Sequence, residues 1–129
     1  MKTERLLEME SLIEEIIEEV ESGSAVVVEG KKDRACLEGL GVPARGIVEL
    51  NKGKNLAEAA RDISARRVVL LTDSDRTGAR LKKELHELLV SEGKKVNVEI
   101  RSQLRKLGVK HVEGLLRTYN ELRGEQAHA

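Results

Sequence analysis

Val68-Val69-Leu70-Leu71-Thr72-Asp73-Ser74-Asp75-Arg76-Thr77-Gly78 is an apolar run that stops at two carboxylates, two residues apart, and a glycine. A second run of the same kind lies upstream, Ala25-Val26-Val27-Val28-Glu29-Gly30. Short continuous apolar stretches of this sort read as strands buried on both faces, the pattern of a parallel sheet. Each delivers acidic side chains into the loop at its carboxyl end. If the two strands are neighbours, Glu29, Asp73 and Asp75 converge on one point, able to hold a hard divalent cation.

Reading outward, helical and extended patterns alternate. Thr3 to Glu21 places Leu6, Met9, Leu12, Ile13, Ile16, Ile17 and Val20 on one stripe with glutamates elsewhere, an amphipathic helix that Ser22-Gly23-Ser24 stops. Strand one is Ala25 to Glu29, and a helix follows over Lys31 to Leu40 until Gly39, Gly41 and Pro43 break it. Strand two is Gly46 to Leu50. The loop Asn51-Lys52-Gly53-Lys54-Asn55 then leads into a helix ending near Ala65. Strand three is Arg67 to Thr72, the next helix runs from Thr77 to Glu92, and strand four is Lys95 to Ile100. The tail, Ser102 to Leu122, reads as a short helix, a turn at Gly108, an extended piece at Val109 to Val112 and a final helix. Four strands separated by helices predict a compact α/β fold with a four-stranded parallel sheet and helices on both faces. Placing Glu29 beside Asp73 requires the order 2-1-3-4, whose switch point lies between strands one and three, where open α/β sheets bind ligands.

The 129 residues suit one domain overall: an acidic amphipathic helix over 1–23, then 24–129 with the sheet and a C-terminal helix. No apolar stretch approaches the roughly 18 residues of a membrane span, and the start lacks a signal-peptide pattern, so a soluble cytoplasmic protein is expected. Cys36 is the single cysteine, which excludes an internal disulfide and a cysteine-rich zinc site; its apolar helical context predicts a core position. Net charge is zero, but residues 1–22 hold eight Glu against Lys2 and Arg5, leaving +6 on the remainder. A basic body favours a polyanionic partner, while mixed surface charge of heat-stable proteins gives the same count. Tyr119 is the sole aromatic residue, so a nucleic acid would be gripped through phosphates by Lys and Arg rather than by stacking on rings.

Asp73-x-Asp75-x-Thr77-Gly78 admits three chemistries. With Glu84 it matches the spacing of an EF-hand calcium loop, but a strand precedes it where a helix is needed. A strand followed by Asp-x-Asp-x-Thr also matches the haloacid-dehalogenase-type phosphatases, with Asp73 as nucleophile and Asp75 as general acid. That reading lacks a later acidic pair and leaves Glu29 without a role. Taken together, Glu29-Gly30-Lys31-Lys32-Asp33 after strand one and Asp73 to Gly78 after strand three resemble the Toprim family. That family is shared by type IA and type II topoisomerases, DnaG-type primases, OLD-family nucleases and the ribonuclease that matures 5S ribosomal RNA. The resemblance spans Ser24 to Glu113; Asn51, Gly53 and Val112-Glu113 are shorter matches to the ribonuclease branch and to small stand-alone Toprim proteins.

The resemblance implies a Toprim domain over 24–129 with Mg²⁺ (Mn²⁺ as an alternative) held by Asp73 and Asp75, with Glu29 either completing that metal site or acting as general base or acid. It implies phosphate and nucleic-acid contacts from Gly30, Lys31, Lys32 and Arg76, with Asp33, Gly78 and Glu113 in support. The activity expected is phosphodiester cleavage or transfer, of the RNA-maturation type, on RNA more than DNA. A catalytically weak nucleic-acid-binding or partner module is the second reading and a phosphomonoesterase the third. The N-terminal helix is expected to pack on the sheet or to pair with another copy or a partner protein. Gly53-Lys54 is no P-loop, since Val48 stands where the first glycine belongs and Asn55 replaces Ser or Thr. Tyr119 does not sit where a topoisomerase nucleophile would. His86, His111 and His128 share no metal-ligand spacing; His86 reads as helix surface and His128 as tail.

Overall fold

The computed structural model describes residues 2–50 and 55–127. Asn51, Lys52, Gly53, Lys54 and His128, named above, lie outside the described residues. The Thr3 hydroxyl accepts the Leu6 N–H at 3.1 Å and opens α1 (Glu4–Glu21), a side-chain cap worth about 1 kcal/mol. The order continues β1 (Ala25–Val28), α2 (Lys31–Gly39), β2 (Ile47–Glu49), α3 (Leu56–Asp62), β3 (Arg67–Leu70), α4 (Arg76–Ser91), β4 (Lys95–Asn97), α5 (Glu99–Lys106) and α6 (Leu115–Ala127). The four strands form one parallel sheet in the order β2-β1-β3-β4, as the two acidic strand ends demand.

Alternate residues of the central strands enter opposite cores. Val26, Val28, Val69 and Leu71 join the buried residues of α1, α2, α5 and α6, among them Leu6, Met9, Ile16, Leu37, Ile100 and Leu104. Ala25, Val27, Val68 and Leu70 face Ala60 of α3 with Leu85 and Leu89 of α4. Each such Val or Leu, fully buried, stabilises the fold by roughly 1.5–3 kcal/mol, so β1 and β3 are fixed from both sides and their carboxyl ends are held rigidly. Cys36 is buried, as its context predicts. The apolar stripe of α1 is spent on the core; Leu7 alone of its large apolar residues is exposed. At the sheet edge Arg34 of α2 pairs with the buried Glu49 and donates to the Ile47 carbonyl at 2.6 Å, tying α2 to β2. Among the described residues no helix is long and apolar enough to cross a membrane.

Two expectations need correction. Strand four stops at Asn97 instead of Ile100, because the Asn97 side-chain oxygen accepts the N–H groups of Glu99 (3.0 Å) and Ile100 (3.2 Å) and so starts α5. A short polar side chain bonding forward to the backbone outcompetes the ladder here. Val109 to Val112 form no strand either. Val112–Gly114 is a 3-10 turn, and the residues before it bond to the loop after β3.

Candidate functional site

Glu29 leaves β1 and Asp73 leaves β3 at the carboxyl edge, on either side of the switch point. The two ends are joined directly: Oε2 of Glu29 accepts the backbone N–H of Asp73 at 2.6 Å. Asp75 caps α4, its Oδ1 accepting the Gly78 N–H at 2.7 Å. Asp73 Oδ1 accepts the Val112 N–H at 2.9 Å. Each aspartate therefore spends one oxygen on a backbone donor and keeps Oδ2, and both Oδ2 atoms face His111 Nδ1, at 3.5 Å from Asp73 and 3.9 Å from Asp75. Asp73, Asp75 and His111 offer ligand atoms all within 4.8 Å of one another. Two carboxylate oxygens and an imidazole nitrogen, brought together in this way, are a donor set of the kind that can hold a metal ion.

Asp33 is buried and its Oδ2 accepts the Gly30 N–H at 3.0 Å, closing the first turn of α2. Gly30 itself sits in extended backbone at the cap of that helix. The side chains of Lys31, Lys32 and Arg76 are exposed and make no hydrogen bond or ion pair among the described residues. Gly78 is buried against the Asp73 backbone. Glu113 is exposed and shares a groove with Lys32 between α2 and α6.

Three kinds of residue escape the motifs. His111 lies outside any local metal-binding spacing, yet the fold sets it against both aspartates. Arg101, buried on α5, donates to the carbonyls of Thr72, Val109 (2.9 Å) and Lys110 (2.7 Å), and Ser74 N–H donates to the Lys110 carbonyl at 2.8 Å. These bonds latch residues 109–112 to the loop after β3. Lys82 and Arg105 line a small hollow beside Asp73 and Ser74. Arg101 carried a signal: its helix positions Ile100 and Leu104 are core, and Arg101 falls on the same side.

Burial pushes the Glu29 carboxyl above the ordinary range; the Asp73 N–H draws it partly back, and the charges of Asp73, Asp75 and Asp33 raise it again. Burial raises Asp33 too, opposed by the Gly30 N–H and reinforced by Asp73 and Glu113. For acids raised in the folded state, the contribution to stability is present below the unfolded values and is lost as pH rises through the folded ones. The cation-free protein is therefore expected to lose stability, relative to Glu29→Gln, as pH climbs through and just above the usual carboxylate range. Mg²⁺ or Mn²⁺ is expected to raise the melting temperature more at pH 7.5 than at pH 4.5. Melting curves of both proteins with and without cation check this; a cation effect that is equal at both pH values would refute it.

No protein-family model matches the chain. A UPF0292 protein of Archaeoglobus fulgidus is 37% identical over 116 residues, 87% of this chain and 90% of that one. A UPF0292 protein of Pyrococcus abyssi is 38% identical over 111 residues, 84% of this chain and 83% of the other. Among solved structures, a protein from Aquifex aeolicus superimposes with a TM-score of 0.71 at 28% identity, covering 80% of this chain and 94% of that one.

Proposed function

We propose that this chain, which belongs to the UPF0292 protein family, is a Toprim-type domain that cleaves or transfers phosphodiesters of nucleic acid with a divalent cation. Maturation-type cutting of RNA is its leading activity. The observation that carries the reading is the bond that Glu29 accepts from the Asp73 backbone across the β1–β3 switch point, which sets Glu29 beside the loop that carries the paired Asp73 and Asp75 carboxylates. A strand pair ending in three such carboxylates matches the Glu-Gly-x-x-Asp and Asp-x-Asp-x-x-Gly resemblance in kind and in place.

Asp73 and Asp75 would hold the cation through their Oδ2 atoms. The cation, when bound, supplies charge stabilisation at a phosphate oxygen and acidifies a water. Glu29, with its affinity for protons raised, suits giving or taking a proton at the reacting oxygen. Lys31, Lys32 and Arg76 are uncommitted cations at the edges of the site and would bind flanking phosphates, with Lys82 and Arg105 extending the track on the other side. With Tyr119 the sole aromatic, substrate choice would come from shape and backbone charge rather than base stacking.

The test is a cleavage screen with Mg²⁺ and with Mn²⁺ against total RNA and against nicked or branched DNA. Glu29→Gln and Asp73→Asn are each expected to slow cutting by about 10²-fold or more. Unchanged cutting by both variants would sink the assignment. Cation binding with salt-sensitive nucleic-acid binding but no cutting by the wild type would make the chain a binding module. Hydrolysis of a small phosphate ester that survives Glu29→Gln would make it a phosphomonoesterase.

A further inference from the structure

We infer that His111 is a ligand of the cation, and that it makes the site selective for a first-row transition ion such as Mn²⁺ over Mg²⁺. The inference rests on the metal-binding part of the proposed function and is independent of cleavage. Three observations carry it. The imidazole is placed by construction: Arg101 and Ser74 hold the Lys110 carbonyl, and Asp73 Oδ1 holds the Val112 N–H, so the backbone is fixed on both sides of His111. The ring is about half exposed, so core packing does not account for where it points. The Nδ1 atom faces the one uncommitted oxygen of each aspartate at 3.5 and 3.9 Å.

Those separations are long for hydrogen bonds, which for N–H···O centre near about 2.9–3.0 Å. They are close to the edge of a ligand polyhedron: donors about 2.1 Å from a metal stand about 3.0–3.4 Å apart in octahedral or tetrahedral arrangements. Mg²⁺ takes oxygen donors and keeps its waters, whereas imidazole nitrogen suits first-row transition ions, Zn²⁺, Fe²⁺, Ni²⁺ and Cu²⁺ above all; Mn²⁺, at the weak end of that series, also accepts the two carboxylates and serves as the probe. A pair of aspartates alone would discriminate weakly. An added imidazole changes the class of ion.

The rival role for His111 is an imidazolium that neutralises the aspartates and competes with the cation. The two roles predict opposite signs. Mn²⁺ titration of the full chain, read by the resonance of free Mn²⁺ and repeated in competition with Mg²⁺, separates them. In His111→Ala and His111→Gln, Mn²⁺ affinity is expected to fall about 10–100-fold, while Mg²⁺ affinity stays within about threefold. The nitrogen coupling seen on bound Mn²⁺ by pulsed resonance should vanish. Equal or tighter Mn²⁺ binding by the variants, or no preference for Mn²⁺ in the wild type, overturns the inference. Binding of Mn²⁺ through His111 without any cleavage would defeat the nuclease reading alone. Cleavage with Mg²⁺ beside an indifferent His111→Ala would defeat only the ligand role.

Discussion

Gly78→Ala is expected to abolish cation binding and all cleavage, and to cost the fold roughly 3 kcal/mol or more. A Cβ at position 78 would lie 2.0 Å from the Asp73 carbonyl oxygen, 2.7 Å from its carbonyl carbon and 3.0 Å from its nitrogen. All three are backbone atoms, so no rotamer change relieves the clash. Either the first turn of α4 backs away, breaking the 2.7 Å bond from Gly78 N–H to Asp75, or Asp73 moves and loses Glu29 and Val112. Both routes scatter the ligands. For a chain of this size the stability loss corresponds to a melting-temperature drop of roughly 10 °C. Gly114→Ala and Gly124→Ala are the controls, since a Cβ at either meets nothing within 4 Å. Calorimetric cation titration in the cold, where Gly78→Ala still folds, checks the claim; wild-type affinity there would refute it.

Arg101→Met is expected to destabilise the protein by about 3–5 kcal/mol. The side chain is 4% exposed and forks to three carbonyls, of Thr72, Val109 and Lys110. Burial works against its charge, and Asp73 and Glu29 support it, so the guanidinium stays ionised. Methionine fills similar apolar space but leaves those carbonyls without this donor, and a lysine's single ammonium cannot reproduce the fork. Because the same bonds latch residues 109–112, Mn²⁺ affinity should fall with stability in Arg101→Met and recover little in Arg101→Lys. Urea unfolding and Mn²⁺ titration provide the readouts. A methionine variant within about 1 kcal/mol of wild type would show the fork to be dispensable.

The strand order was legible because it follows from one chemical demand, that Glu29 meet Asp73, and two apolar runs with acidic ends suffice to state it. The amphipathic face of α1 was legible for the same kind of reason: seven apolar residues at helical spacing need a surface to cover. His111 was not, because no local spacing connects it to Asp75; only a tertiary latch brings them together. The end of β4 was lost to one side-chain oxygen on Asn97, an interaction that apolar patterning does not register. Arg101 was the recoverable omission, a charged residue on the buried side of α5, where charge persists only when partnered.

The latch also sets a timetable. Val112, which donates to Asp73, follows it by 39 residues, so during synthesis the acidic residues are made well before the residue that orients them. A nascent chain that has emerged only through β4 holds Glu29, Asp73 and Asp75 but has neither the Val112 amide nor the His111 ring. With domains assembling at about 5–20 residues per second on the ribosome, the site is completed several seconds after its carboxylates appear. Incomplete products that stop before the latch lack His111 and the Val112 amide, and with them the finished candidate site.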